Sequence, residues 1–152
     1  MQISTQIIQQ LKHIFEEKIP FNKLLKMQIV SLDHQNAKIR IDMREELVGN
    51  YIHGILHGGV ISSILDVTGG LTAFTGLIQR MTHLTDEEKL IKLSKYGTVD
   101  LRVDYLRPGR GKYFEATGTI LRTGNKIAVT RMELYNDENT LIAVGTGTYL
   151  SS

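Results

Sequence analysis

The chain has 152 residues, 41% hydrophobic and 22% charged, and its 18 Lys and Arg against 16 Asp and Glu leave a formal charge of +2. That length fits one domain with a real core, residues 1–152, and a near-balanced charge without runs of one sign argues against a nucleic-acid partner. With no cysteine, disulfides, thiolate metal sites and cysteine nucleophiles are excluded.

In chain order, Ile3, Ile7, Ile8, Leu11, Ile14 and Phe15 recur at helical spacing, which predicts an amphipathic helix over residues 1–19 capped by Ser4 or Thr5. Its polar face mixes both signs of charge, so it should pack on its own protein and not on a membrane. Lys26 to Leu32 and Ala37 to Met43 alternate apolar and polar residues across Asp33-His34-Gln35-Asn36 and read as a hairpin. Arg44 to Leu56 reads as a loop. From His57 to Ile78 apolar residues lie on nearly every side, which predicts a long helix buried all round. Residues 79–96 form a helical insertion, in which Thr85-Asp86-Glu87-Glu88 has the form of a capping box leading into Lys89 to Lys95. Its mixed charges suggest a solvated lid or spacer.

Four strands follow, Thr98 to Leu106, Lys112 to Arg122, Lys126 to Asn136 and Thr140 to Leu150, joined by links too short for helical crossovers. The expected fold class is therefore α+β, with a curved antiparallel sheet of about six strands wrapped around one long buried helix. No signal-peptide pattern is present, and Asp66 and the glycines interrupt the one long apolar stretch, so a cytoplasmic protein without a membrane span is expected.

Asp66 is the single charge in the predicted buried helix, and a carboxylate removed from water without a partner costs several kcal/mol. At helical spacing its neighbours are Gly59, Ser62, Ser63, Gly69 and Gly70. That small stripe lets a facing backbone, a water or a ligand come close, or serves tight helix packing with Asp66 paired to an arginine or capping backbone. Gly69 and Gly70 each cost ~1 kcal/mol in mid-helix relative to Ala, so close approach there matters. His53 and His57 are four apart but lack a third ligand, and no metal is expected. Gly109-Arg110-Gly111-Lys112 lacks the upstream glycine of a phosphate loop, and no Gly-x-Ser-x-Gly elbow exists.

Tyr51-Ile52-His53-Gly54-Ile55-Leu56-His57-Gly58-Gly59, with Asp66 nine positions after His57, a long helix, and a strand from Thr98 ending in Arg107-Pro108, resembles the hotdog-fold thioesterases, in the branch of the phenylacetic-acid-pathway and acyl-CoA thioesterases. The resemblance spans Lys26 to Tyr149. It implies a homodimer or homotetramer joined sheet edge to sheet edge, with acyl-CoA bound between subunits and no cofactor beyond the coenzyme A of the substrate. It also implies that the Gly58 N–H polarises the thioester carbonyl and that Asp66 acts as general base or nucleophile. Thr98 stands where the branch has a hydroxyl that orients water, although an ordinary strand-start threonine fits as well. Asn50 resembles an asparagine that contacts water or thioester, one residue further from the histidine than in the branch, where this chain has Tyr51. His57 orders the loop.

The chemistry is consistent with those residues. A thiolate leaves readily, so a thioesterase must activate water and hold an oxyanion. A helix N-terminus supplies free N–H groups, and Gly58 and Gly59 let a carbonyl oxygen approach them. Asp66 should lie roughly 10–12 Å further along the axis, too far to serve the same carbonyl within one chain. Arg107, Arg110 and Lys126 sit at turns, where phosphates of coenzyme A could be gripped. Two rivals are an acyl-CoA binding or sensing module without catalysis, and a hydratase or dehydratase on the same fold.

Overall fold

Ser4 starts the first helix: its Oγ accepts the Ile7 N–H at 3.2 Å, and the same hydroxyl donates to Asp86 Oδ2 at 2.6 Å. The computed structural model describes residues 3–152, so Met1 and Gln2 of the expected 1–19 helix lie outside the described residues. Helix α1 (Thr5–His13) buries Ile7 and Leu11, and then widens into a π turn, Ile14–Lys18, in which Ile19 N–H donates to Ile14 O at 3.1 Å. Pro20 ends that turn by holding Ile19 extended, and becomes the first residue of α2 (Pro20–Leu24).

Strands β1 (Gln28–Leu32) and β2 (Asn36–Asp42) form the expected hairpin, turned by Asp33, whose Oδ1 accepts the N–H groups of Gln35 and Asn36, each at 2.8 Å. Residues 44–56 are more ordered than a loop. They hold a 3-10 turn (Glu45–Leu47) and a small ribbon of β3 (Val48–Asn50) and β4 (Ile55–Leu56). Strands of three and two residues are too short to show an alternation in sequence.

After helix α3 (Gly58–Gln79) comes α4 (Asp86–Ile91), where Thr85 and Glu88 make both halves of the capping box, followed by a 3-10 turn, Lys92–Lys95. Strands β5 (Tyr96–Tyr105), β6 (Tyr113–Thr123), β7 (Ile127–Asn136) and β8 (Leu141–Ser151) begin and end within two residues of their expected bounds. The six longer strands form one antiparallel sheet in the order β1-β2-β6-β7-β8-β5, and α3 packs into it against β2, β5, β6, β7 and β8. This is the hotdog arrangement. Inward positions alternate along the strands, as with Ala37, Ile39 and Ile41 on β2 and Phe114 and Ala116 on β6.

Helix α3 is not buried all round. Residues 68–78 are fully enclosed, whereas Gly59, Ser62, Ser63 and Asp66 leave one open stripe along the first half. In the enclosed half, the hydroxyls of Thr68, Thr72 and Thr75 donate to the carbonyls of Ile64, Thr68 and Thr72 at 2.6, 2.7 and 2.8 Å, so no buried hydroxyl is orphaned there. By length and composition α3 could cross a membrane, but 78% of its most apolar window is buried inside this fold.

The mid-helix glycines have a concrete cause. A Cβ on Gly69 would stand 2.5 Å from Tyr149 Oη and 2.6 Å from Met132 Sδ, and one on Gly70 would stand 3.2 Å from Tyr149 Cε1. What approaches the small stripe at this point is a tyrosine ring of β8. Gly69→Ala should therefore destabilise the protein by about 1–3 kcal/mol through overpacking, outweighing the ~1 kcal/mol gain in helix propensity. Gly97→Ala, where nothing lies within 4 Å, is the control, and denaturant melts of both variants check the sign.

Candidate active site

The open stripe of α3 carries the one carboxylate of that helix. Asp66 Oδ1 accepts a hydrogen bond from Thr98 Oγ1 at 2.9 Å, which joins the helix to edge strand β5. A β-bulge between Thr98 and Asp100 inserts Val99 and re-aims the strand at this point. No arginine or lysine pairs with Asp66 among the described residues, which removes the arginine alternative. The Tyr149 hydroxyl also lies within hydrogen-bonding reach of the Asp66 side chain.

Two tyrosines frame the carboxylate, and neither is singled out by the sequence. Tyr149 Oη donates to the Asp66 main-chain carbonyl at 3.0 Å, and Tyr96 Oη donates to the Gly70 carbonyl at 2.5 Å. Their rings stack at 6.1 Å, and Tyr96 meets Phe74 edge to face at 5.1 Å. Burial, then the charge of Asp66 and its hydrogen bonding, push the Tyr149 phenol far above its ordinary range. Burial and then the neighbouring Tyr149 and Asp66 do the same for Tyr96. Both are neutral donors that fix the helix turn bearing Asp66. The signal that could have found Tyr149 is the pair of mid-helix glycines, which require a bulky partner opposite.

Beside Asp66 and Thr98 opens a cleft of about 330 Å³ with mainly apolar walls. The helical insertion contributes here: α4 buries no residue, as expected of a solvated spacer, but Leu93 of the following 3-10 turn lines the cleft.

The other half of the machinery is at the tip of α3. His57 is the N-cap, and its Nδ1 accepts the Gly59 N–H at 2.7 Å, so the proton of the neutral ring is on Nε2. The Gly59 N–H is thereby engaged. The Gly58 N–H donates to nothing among the described residues. The carbonyl of its own peptide unit, His57 O, accepts from Val60 and Ile61 at 3.0 and 3.1 Å, which polarises that unit and strengthens the free donor. Tyr105 Oη donates to Gly58 O at 3.0 Å, and its ring lies over the Gly58 Cα. Asn50 shares an open depression with His57 and Gly58, but its Oδ1 is occupied by the N–H groups of Ile52 and His53 at 3.1 and 3.2 Å. Its amide nitrogen is free of partners among the described residues.

Within one chain, then, Asn50, His57, Gly58 and Gly59 gather at one place and Asp66 with Thr98 at another, eight residues or about 12 Å apart along α3. Arg107 and Arg110 belong to the Gly58 end. The Arg107 guanidinium donates to Leu141 O at 2.8 Å, and Arg110 reaches His53 O at 3.5 Å. Lys126 is at the opposite end of the sheet, beside Asn125, which meets Arg80 just past the C-terminus of α3. His53 and His57 are not part of any three-residue ligand set among the described residues.

Residues 53–143 match the family model described as the thioesterase superfamily. Over 137 residues, 90% of this chain and 88% of the relative, the sequence is 44% identical to the medium/long-chain acyl-CoA thioesterase YigI of Escherichia coli strain K12. A crystal structure of a Shewanella oneidensis protein related to the thioesterase superfamily superposes with a TM-score of 0.92 at 46% identity, covering 97% of this chain and 96% of that one. The E. coli PaaI protein of the phenylacetic acid degradation operon, 19% identical with 97% and 95% covered, shares the fold with a TM-score of 0.77.

Proposed function

Because the chain belongs to the thioesterase superfamily, we propose that it hydrolyses acyl-CoA thioesters to the free acid and coenzyme A at a site shared between two copies of the chain. The observation that carries this reading is the pairing of Asp66 with Thr98 on the open stripe of α3, beside an apolar cleft and aligned by the buried Tyr149 and the half-buried Tyr96.

In this reading the Gly58 N–H of one copy holds the thioester carbonyl, and Asp66 of the other takes a proton from water as its oxygen attacks the carbonyl carbon. The tetrahedral intermediate collapses by breaking the C–S bond, and the departing thiolate receives the proton. In the nucleophilic variant Asp66 itself attacks and the C–S bond breaks to expel the thiolate; water then cleaves the mixed anhydride, which frees the acid and Asp66 and supplies the proton the thiolate takes up. Thr98 holds one carboxylate oxygen in place, so the other faces the reacting centre. His57 keeps the Gly58–Gly59 turn in shape. Arg107 and Arg110 take phosphates of coenzyme A, and Lys126 can join them only from another copy. Asn50 contributes through its free amide nitrogen.

Two features support the second copy. The 12 Å between donor and carboxylate exceeds what one carbonyl can span. Strand β5 is also a ten-residue edge with most positions exposed, and it flanks the open stripe of α3, so joining two such edges covers both.

The test is free-thiol release from acyl-CoA by the purified protein, with its size in solution measured alongside. Turnover by a dimer or tetramer is expected. Tight acyl-CoA binding without turnover would instead indicate a sensor, and hydration of enoyl-CoA without thiol release a hydratase.

A further inference from the structure

The cleft beside Asp66 has a wall that the hydrolytic steps leave unused. Besides Asp66 and Thr98, it is lined by Ile14, Phe15 and Ile19 of the N-terminal segment and by Leu93. Resting on the thioesterase reading above, we propose that this cleft seats the acyl chain of the substrate, that the chain is uncharged and several carbons long, and that Phe15, Ile19 and Leu93 set its length limit.

The charge of the lining supports the first part. Among the described residues no Lys, Arg or His lines the cleft, and its one charged group is Asp66. An acyl group ending in a carboxylate would be dehydrated without a counter-ion and would meet a like charge, whereas a hydrocarbon tail meets mainly apolar walls.

The construction of the wall supports the second. Phe15 lies in the π turn, a geometry often found at functional sites. Asn22, only 2% exposed, donates from Nδ2 to Phe15 O at 3.1 Å, and Glu16 Oε1 accepts the Ile29 N–H at 2.7 Å, so the turn is fastened both to α2 and to β1. A turn held at two points keeps Phe15 at a fixed depth. Ile14, Ile19 and Leu93 are only partly buried, each packed on the core on one side and open to the cleft on the other. Apolar groups in that state gain contacts when a chain enters, and each methylene seated should raise kcat/KM roughly fourfold until the wall is reached.

The experiment measures kcat/KM for thiol release from a series of saturated acyl-CoAs of increasing length, and from one of matched length ending in a carboxylate. It compares the full-length wild-type protein with Phe15→Ala, Ile19→Trp and Leu93→Trp. The wild type should improve with length to a limit and disfavour the carboxylate-ended substrate by more than about tenfold. The tryptophan variants should move the limit to shorter chains and Phe15→Ala to longer ones. Should Phe15→Ala not fold, the two tryptophan variants at partly exposed positions decide alone. Profiles that keep the wild-type limit in both tryptophan variants, or a carboxylate-ended substrate turned over as well as its neutral match, overturn the assignment of the cleft while leaving hydrolysis standing. Failure of the wild type to release thiol from every acyl-CoA overturns the hydrolytic reading itself, and this proposal with it.

Discussion

Asp66→Asn is expected to lower kcat for thiol release by about 10²–10⁴-fold or more while leaving the melting temperature nearly unchanged. Asparagine has the same shape, and its carbonyl oxygen can still accept from Thr98 Oγ1, which now donates at 2.9 Å. The tyrosine hydroxyls donate to the main-chain carbonyls of Asp66 and Gly70, which the change keeps, and where Tyr149 also meets the side chain an asparagine oxygen can still accept. What is lost is the ability to take a proton from water or to attack a carbonyl. The loss is the same whether the carboxylate acts as base or as nucleophile. Steady-state thiol release paired with thermal melts checks it, and a variant that keeps more than about a tenth of the activity would remove Asp66 from the mechanism.

Gly58→Pro should lower kcat by about 10²–10³-fold, the usual loss for one oxyanion donor, at little cost to the fold. Gly58 is the first residue of α3, a position where proline fits because its missing N–H has no helical partner. His57 already has the extended backbone a following proline requires, φ −62° and ψ 134°. The added Cβ would stand 3.3 Å from Cε1 of Tyr105, a side chain that is 55% exposed. Gly58→Ala meets the same ring but keeps the amide. The expected result is therefore a proline variant far below the alanine variant in kcat, with similar melting temperatures for the two. Equal activities would show that the Gly58 N–H holds no oxyanion.

Much of this site is legible in the sequence, because its members are chemically out of place there. A carboxylate among Ile64, Leu65 and Val67 calls for an explanation, and paired glycines after a histidine mark a helix tip open to a ligand. Thr98 stands out only through resemblance, since a threonine at a strand start is ordinary. The tyrosines are hidden because Tyr96 and Tyr149 look like any inward residues of alternating strands. Only the fold shows that Tyr149 fills the space Gly69 leaves. The π turn is equally hidden, because a hydrogen bond from Ile19 back to Ile14 leaves no mark on apolar spacing. The open stripe on α3 is masked because the second half of the helix is enclosed on every side, and its pattern dominates the whole. The β3–β4 ribbon depends on pairing across a tight turn made by Asn50, which runs so short cannot reveal.

The 12 Å between Gly58 and Asp66 on one rigid rod has a genetic consequence. If each reaction centre borrows its amide from one polypeptide and its acid from the other, two dead alleles can rescue each other. Co-expressed Gly58→Pro and Asp66→Asn chains, each inert alone, would pair so that one centre inherits both defects and the other inherits none. Random pairing would then return about a quarter of normal turnover, a recovery that no mixture could produce if each polypeptide worked alone.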